Sequence, residues 1–197
     1  TPNTDGTKVA LFETCSVNYN YPRVGIAAVQ VLEHNGKNVV RPEVVCCGMP
    51  ALDGGDLETA IEKVRRNVKA LLPVVSQGTP IVVLAPTCGM MIKSEWPQLV
   101  PTEEARLVAA NTYDIGEYLA KEKAAGRLDT NFVAPQGSVA YHIPCHLRAQ
   151  NIGQPFRAIL ESIPGTQVQC IEQCSSFDGT WGMKREYYEL SRKGAGK

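Results

Sequence analysis

Two adjacent cysteines give this 197-residue sequence its most distinctive chemical feature. Cys46 and Cys47 open a glycine-containing turn, Cys46-Cys47-Gly48-Met49-Pro50, directly after an apolar run. A lone buried cysteine usually serves as a small hydrophobic side chain in a core. The Cys-Cys-Gly turn favours a metal site instead, because one thiolate can approach a metal from each side while Gly48 lets the backbone swing away.

The other cysteines of the first half also follow predicted strands. The apolar runs predict three buried strands: residues 9–12 before Cys15, residues 39–45 before Cys46 and Cys47, and residues 80–84 before Cys88. Helical patterns separate these strands, at residues 24–34 and in a long segment that begins at Asp56, a good N-cap, and ends at Gly78. Alternating strands and helices predict a parallel α/β sheet. Ligands of such sheets gather at the carboxyl ends of the strands, so we expect the four thiols to converge there.

A second half repeats part of this pattern. Residues 103–125 are predicted to be mainly helical, and the polar connection 127–137 predicts a boundary between lobes at residues 1–130 and 131–197. A strand at 138–142 then precedes Cys145, a helix follows at 154–163, and a strand-like segment at 168–171 precedes Cys174. We interpret this recurrence as an internal duplication, in which Cys145 matches Cys15 and Cys174 matches Cys46.

The second copy is predicted to be incomplete. Ser175 and Ser176 stand in the places of Cys47 and Gly48, and the sequence ends before any counterpart of Cys88. A further helix is expected near residues 184–192.

A second candidate site surrounds Cys145 and Cys174. His142 and His146 flank Cys145, and an imidazole there could ligate a metal, hydrogen-bond a sulfur or simply pack. Cys170 alternates with apolar residues in its strand, which predicts burial. Asp178 follows Cys174 in a polar turn, where it could orient a bound group, accept a proton or only form the turn.

Composition excludes several classes of protein. Twenty basic residues balance twenty acidic ones, so no net charge attracts nucleic acid. No apolar run approaches the ~20 residues of a membrane span, and the N-terminus lacks signal-peptide features, which predicts a cytoplasmic protein.

An odd cysteine count at long spacings favours metal or redox chemistry over a disulfide framework. A Gly-x-Gly-x-x-Gly after the first strand, a nucleophile elbow and a phosphate-binding loop are all missing from the sequence.

These residues resemble the cysteine-rich, or CCG, domain family, which includes the B subunit of heterodisulfide reductase, the C subunit of anaerobic glycerol-3-phosphate dehydrogenase and iron–sulfur subunits of lactate oxidation. The first copy offers Cys15, then Cys46-Cys47-Gly48, then Ala85-Pro86-Thr87-Cys88, and residues 141–147 and 178–182 resemble the second copy. The resemblance implies two tandem Rossmann-like lobes with short parallel sheets that hold [4Fe–4S] clusters, cubane or non-cubane. In that context Gly48 and Asp178 are candidate cofactor-binding residues.

The resemblance also implies a redox role. Members of the family pass electrons from a flavin dehydrogenase or ferredoxin-like partner to a quinone or disulfide acceptor. We therefore expect an iron–sulfur electron-transfer subunit, cytoplasmic or held at the inner face of the membrane through a partner. Which residues would be catalytic is not indicated by the sequence.

Two departures from the family pattern keep other interpretations open. Ala85 stands where the first cysteine of a Cys-x-x-Cys belongs, and Ser175 breaks the second cysteine pair. Four thiolates suffice for a cubane cluster, but they equally suit tetrahedral zinc, which would make a zinc-stabilised interaction subunit without redox activity. A dithiol–disulfide enzyme using Cys46 with Cys47, or Cys145 with Cys174, is a third hypothesis and requires an exposed thiolate of low pKa.

Overall fold

A four-stranded parallel sheet forms the centre of the first half. The computed structural model describes residues 6–133, 137–177 and 181–196. The strands are paired in the order β2-β1-β3-β4, with bounds β1 Lys8–Phe12, β2 Asn38–Val40, β3 Ile81–Val83 and β4 Thr112–Asp114. Ala10 of β1 is in register with Val40 on one side and Ile81 on the other. The apolar runs in β1 and β3 reflect burial on both faces, as parallel sheets require.

Helices cover both faces of this sheet. Their bounds are α1 Pro22–His34, α2 Met49–Asp53, α3 Leu57–Val75, α4 Pro86–Met90, α5 Trp96–Leu99, α6 Glu103–Ala110 and α7 Ile115–Ala124, with π-helical turns at Ser16–Asn20 and Met91–Glu95. The predicted N-cap of α3 is confirmed, since the Asp56 carboxylate accepts a hydrogen bond from the Thr59 backbone N–H at 3.0 Å. That bond satisfies one of the free N–H groups at the start of the helix.

The apolar side chains divide into one cluster on each side of the sheet. Phe12, Leu71 and Trp96 belong to the larger cluster, which also contains Cys47 and Cys88. Val9 and Val82 belong to the other cluster. Two of the candidate site cysteines are therefore part of the main core.

The second half contains a separate two-stranded parallel sheet. Its elements are β5 Gly137–His142, α8 Cys145–Arg148, α9 Pro155–Leu160, β6 Thr166–Ile171, a 3₁₀ turn at Trp181–Met183 and α10 Tyr188–Ala195. This half packs against the first, α8 on α4 and α9 on α7. The two sheets lie on either side of the predicted lobe boundary between residues 130 and 131, which stays a prediction.

The α/β class with short parallel sheets is confirmed, but one predicted strand is too long and one short strand was not predicted. The strand predicted at 39–45 ends at Val40, so Cys46 and Cys47 follow an irregular segment that contains Pro42, a residue with no N–H to pair. The segment 103–125, predicted to be mainly helical, forms α6 and α7, and the unpredicted strand β4 lies between them and pairs with β3. That pairing is a tertiary contact, and it overrides the local helical pattern.

Candidate metal centre

The Cys-Cys-Gly turn is held in a left-handed conformation. Gly48 has φ of 101° and precedes the first residue of α2. A Cβ at Gly48 would lie 3.3 Å from Met91 Cε and 3.5 Å from the Ala60 carbonyl oxygen, so only glycine fits without strain. The backbone N–H groups of Gly48 and Met49 donate to the Cys46 and Cys47 sulfurs respectively. The turn therefore points peptide dipoles at both thiols.

Two buried side chains fix the backbone that carries these thiols. Asn67 in α3 accepts from the Val45 N–H at 2.8 Å and donates to the Cys46 carbonyl at 3.1 Å. Trp96 Nε1–H donates to the Cys47 carbonyl at 2.9 Å. Both side chains are fully buried. The turn thus has few alternative positions, which is the condition for a preorganised ligand set.

Three thiols contact one another in a row at the carboxyl edge of the sheet. Hydrogen bonds link Cys46 to Cys47 and Cys47 to Cys88, so Cys47 is in the middle. Cys88 reaches this position because α4 begins soon after β3. Cys47 and Cys88 are only 3% and 7% exposed. Long-range folding therefore brings together cysteines that lie far apart in the sequence.

The raised pKa values of Cys46 and Cys47 describe protonated thiols. The hydrogen bond with Cys47, and then burial, raise the pKa of Cys46 well above its ordinary value, although the Gly48 N–H opposes them. For Cys47, the hydrogen bond with Cys46 lowers the pKa, but the bond with Cys88 and burial outweigh it and raise the pKa to about 12. A bound metal would displace these protons. A dithiol enzyme using Cys46 and Cys47 is disfavoured, because its thiolate must form readily.

Cys15 lies at the same edge of the sheet but is exposed, just after β1 and before the π-helical turn Ser16–Asn20. A cleft of about 440 Å³ is lined by Glu13 and Val17, which flank Cys15 in the sequence, and by Arg41 among others. Across residues 6–133, 137–177 and 181–196, no group of three or more His, Cys, Asp or Glu side chains is arranged to hold a metal ion. The four-thiol set therefore stays a prediction.

The residues present nevertheless fit a thiolate-bound metal centre. The donors are soft sulfurs, Cys47 is hydrogen-bonded to both Cys46 and Cys88, and N–H groups of the turn donate to Cys46 and Cys47. Thiolates of this kind suit iron–sulfur clusters and zinc alike.

The turn at Cys174 repeats the geometry of the first. Ser176 is left-handed with φ of 56°, and its backbone N–H donates to Cys174 Sγ at 3.3 Å. Cys145, at the start of α8, is exposed, as is Cys174. Both cysteines occupy the strand-end positions that the duplication predicts.

The remaining candidates of the second half point in different directions. His142 Nε2–H donates to the Gln173 carbonyl at 2.7 Å, whereas His146 Nδ1 lies 2.8 Å from Thr87 Oγ1 in the first half. Cys170 is half-buried in β6, opposite Tyr141 of β5, so its predicted burial is only partial. Asp178 lies outside the described residues.

Sequence reasoning missed the residues that hold the site together. Asn67 had a detectable signal, because it occupies the apolar stripe of α3 between Val64 and Leu71, where an amide needs a buried partner. The sequence signal for Trp96 was weaker: a buried indole N–H usually finds a hydrogen-bond acceptor, but the sequence does not say which one. Gln150, which bridges the two halves, had no signal in the sequence.

A parallel α/β sheet whose carboxyl edge bears a Cys-Cys-Gly turn and further strand-end cysteines defines a cysteine-rich domain. The model of the CCG family, described as "Cysteine-rich domain", matches residues 9–93. The chain belongs to this family.

Three relatives share most of the chain. The C subunit of anaerobic glycerol-3-phosphate dehydrogenase from Escherichia coli (strain K12) is 29% identical over 94% of this chain and 47% of its own length. The B subunit of fumarate reductase (CoM/CoB) from Methanothermobacter marburgensis is 34% identical over 96% of this chain and 37% of its own length. Lactate utilization protein A of Geobacillus thermodenitrificans is 30% identical over 90% of this chain and 75% of its own length. The chain thus spans less than half of the first two relatives.

No helix in the described ranges combines the length and the apolar character that crossing a membrane requires.

Proposed function

We propose that the chain is an iron–sulfur electron-transfer subunit of a redox complex, with Cys15, Cys46, Cys47 and Cys88 as the ligands of its first centre. The observation that carries the proposal is the row of three contacting thiols at the carboxyl edge of a parallel sheet. Four cysteine thiolates are a sufficient ligand set for a [4Fe–4S] cluster. Relatives named as subunits of a dehydrogenase and a reductase support the redox assignment.

The chain's own residues would adapt such a cluster to electron transfer. When bound, the cluster supplies a one-electron carrier. The N–H groups of Gly48 and Met49 donate to ligand sulfurs, and burial of Cys47 and Cys88 keeps water away from that side. Hydrogen bonds to sulfur and solvent exclusion are two of the main influences on the reduction potential of a cluster.

The proposal extends to a second centre and to partners. Cys145 and Cys174, with His142, His146 and Asp178 nearby in the sequence, form the second candidate set, in a second lobe at residues 131–197. We propose a flavin dehydrogenase or ferredoxin-like donor and a quinone or disulfide acceptor, by analogy with heterodisulfide reductase-like complexes. The complex would be cytoplasmic or held at the inner face of the membrane by a partner.

Anaerobic reconstitution with iron and sulfide tests the proposal. We expect broad visible charge-transfer absorption, iron and sulfide in similar amounts, and a reducible paramagnetic centre. Cys88→Ser should remove most of the bound iron, because it removes one end of the thiol row. Cys170→Ser is the matched control, a half-buried cysteine in the other sheet, and should leave the iron content unchanged.

A contrary result is equally clear. A colourless protein that keeps one tightly held zinc and no sulfide after anaerobic purification would contradict the redox proposal. It would favour the zinc-stabilised interaction subunit, whose melting temperature should fall when a chelator is added.

A further inference from the structure

Polar contacts join the helix that carries Cys88 to the helix that carries Cys145. Thr87 Oγ1 in α4 lies 2.8 Å from His146 Nδ1 in α8. The Gln150 side chain, just after α8, donates from Nε2 to the Pro86 carbonyl at 3.0 Å and to the His146 carbonyl at 3.2 Å. One amide nitrogen thus bonds to the backbone of both helices, which come from different halves of the chain.

The orientation of the Gln150 amide is dictated by its partners. Both partners are carbonyl oxygens, which only accept, so Nε2 must face them and Oε1 must face the other way. Oε1 is buried and has no hydrogen-bond partner among the described residues. An unsatisfied buried acceptor opposes this arrangement. The contacts to the two carbonyls must therefore outweigh that cost.

Gly89 provides the space that the amide occupies. A Cβ on Gly89 would lie 3.1 Å from both Nε2 and Oε1 of Gln150, closer than an ordinary contact. Gly89 is in the interior of α4 and its φ is not in the left-handed region, so its backbone conformation does not require glycine. The absence of a side chain at Gly89 is explained by the Gln150 amide, which packs against the backbone beside Cys88.

We propose that Gln150 is a positioning residue that holds α4 against α8 and so fixes the first half's Cys88 relative to the second half's Cys145. The shape of the Gln150 amide against Gly89 sets the separation of the two helices, and the two hydrogen bonds set their register. The consequence for a metal centre at Cys88 rests on the proposed function, whereas the positioning itself does not.

Amide hydrogen exchange of the metal-free chain tests the positioning. Gln150→Glu keeps the size but directs a carboxylate at two carbonyls, so exchange across residues 87–90 and 145–148 should accelerate about tenfold. Gln98→Glu is the matched control, because Gln98 also donates to a backbone carbonyl, that of Ser94 at 3.0 Å, but within the first half. Equal exchange in the Gln150→Glu variant and the unaltered chain would overturn the proposal.

Changing the side-chain sizes at Gly89 and Gln150 distinguishes a role of Gln150 in positioning the helices from a general loss of structure. Gly89→Ala alone should accelerate exchange across the same residues, although alanine favours helix more than glycine. Gly89→Ala combined with Gln150→Ala should accelerate exchange no more than Gln150→Ala alone, because the three atoms nearest to the new methyl group belong to the amide that the second substitution removes. Effects of the two substitutions that simply add would overturn the contact given to the Gln150 amide and Gly89.

The reconstituted chain supplies the functional measurement. The midpoint potential of the centre should change in Gln150→Glu but stay the same in Gln98→Glu, since only Gln150 lies beside the helix of Cys88. An unchanged potential with accelerated exchange would overturn the link to the centre. If the unaltered chain forms no iron centre, the proposed function fails, and the exchange measurements still decide whether Gln150 positions the helices.

Discussion

The Cys46-Cys47-Gly48 turn and the Cys174-Ser175-Ser176 turn have similar backbone conformations but differ in what surrounds them. In each, the third residue is left-handed, with φ of 101° at Gly48 and 56° at Ser176, and its N–H donates to the sulfur of the first. The first turn, however, is anchored from below by Asn67 and Trp96. The second turn is exposed at Cys174 and Ser175, and Ser191 Oγ donates to its Ser176 carbonyl at 2.6 Å.

The difference shows that the geometry of the turn and the assembly of a ligand set are separate properties. Three residues suffice to direct an N–H at a sulfur. Bringing a third thiol to the turn requires a core, which in the first half delivers Cys88 next to Cys47. The first turn is therefore part of the hydrophobic core, whereas the second is a surface turn with the same local shape.

Removing the indole beneath the first turn should have the largest effect. Trp96→Ala deletes a fully buried side chain and leaves the Cys47 carbonyl without its donor, so we expect a loss of about 3–5 kcal/mol of unfolding free energy. Urea denaturation measures this loss. Trp181→Ala, in the less buried second half, is the control and should cost far less. Similar losses in the two variants would remove the contrast between the halves.

Removing the Asn67 amide that holds the first turn should cause the second largest loss of unfolding free energy. Asn67→Ala leaves the Val45 N–H and the Cys46 carbonyl without partners, and we expect a cost of about 2–3 kcal/mol. Ser191→Ala removes the corresponding support of the second turn, a single hydrogen bond, and should cost about 1 kcal/mol. Chemical denaturation compares the two. A larger cost for Ser191→Ala would reverse our ranking of the turns.

Substitutions at the two left-handed residues should change the stability of the chain in opposite directions. Gly48→Ala forces a Cβ into a left-handed conformation and should cost about 1–2 kcal/mol. Ser176→Gly relieves the same conformation and should stabilise the chain by about 1 kcal/mol. Melting temperatures should therefore fall in one variant and rise in the other. A fall in both would show that Ser176 contributes through its side chain rather than through its backbone conformation.

Acid should weaken the first half through a buried ion pair, without any effect at neutral pH. Lys37 Nζ and Glu122 Oε2 lie 2.9 Å apart with side chains 2% and 8% exposed, whereas Arg148 and Glu172 in the second half are 4.0 Å apart and roughly half exposed. The Arg127 hydrogen bond, together with Lys37, holds the pKa of Glu122 below its ordinary value, although burial opposes this.

The sign of the pH effect follows from that lowered pKa. The stabilisation is fully present above the pKa of Glu122 in the unfolded chain, about 4.3, and is lost as the pH falls through the lower folded value. Denaturation midpoints measured from pH 7 to pH 3 should show this decline. The decline should be smaller in Glu122→Gln and unchanged in Glu103→Gln, an 89% exposed control. An identical decline in Glu122→Gln would assign the acid sensitivity to other groups.

The sequence predicted the elements whose signals are local. The Asp56 cap of α3, the buried strands before Cys15 and Cys88, and the two strands of the second half all followed from capping residues and apolar runs. It did not predict β4, because Thr112–Asp114 is a short strand whose partner, β3, lies elsewhere in the chain. It also extended β2 to Val45, since Val44 and Val45 have a strand-like composition that does not reveal where strand pairing stops.

The sequence by itself determined which residues can do chemistry and how each turn is shaped. The Cys-Cys-Gly motif and its altered copy at Cys174 were both readable from the sequence, because a turn depends on adjacent residues. Only the tertiary structure decided that Cys46, Cys47 and Cys88 touch, that Asn67 and Trp96 hold their backbone, and that Gln150 joins the halves. Those contacts join residues far apart in the chain, and their formation depends on how the two clusters of apolar side chains pack against the sheet.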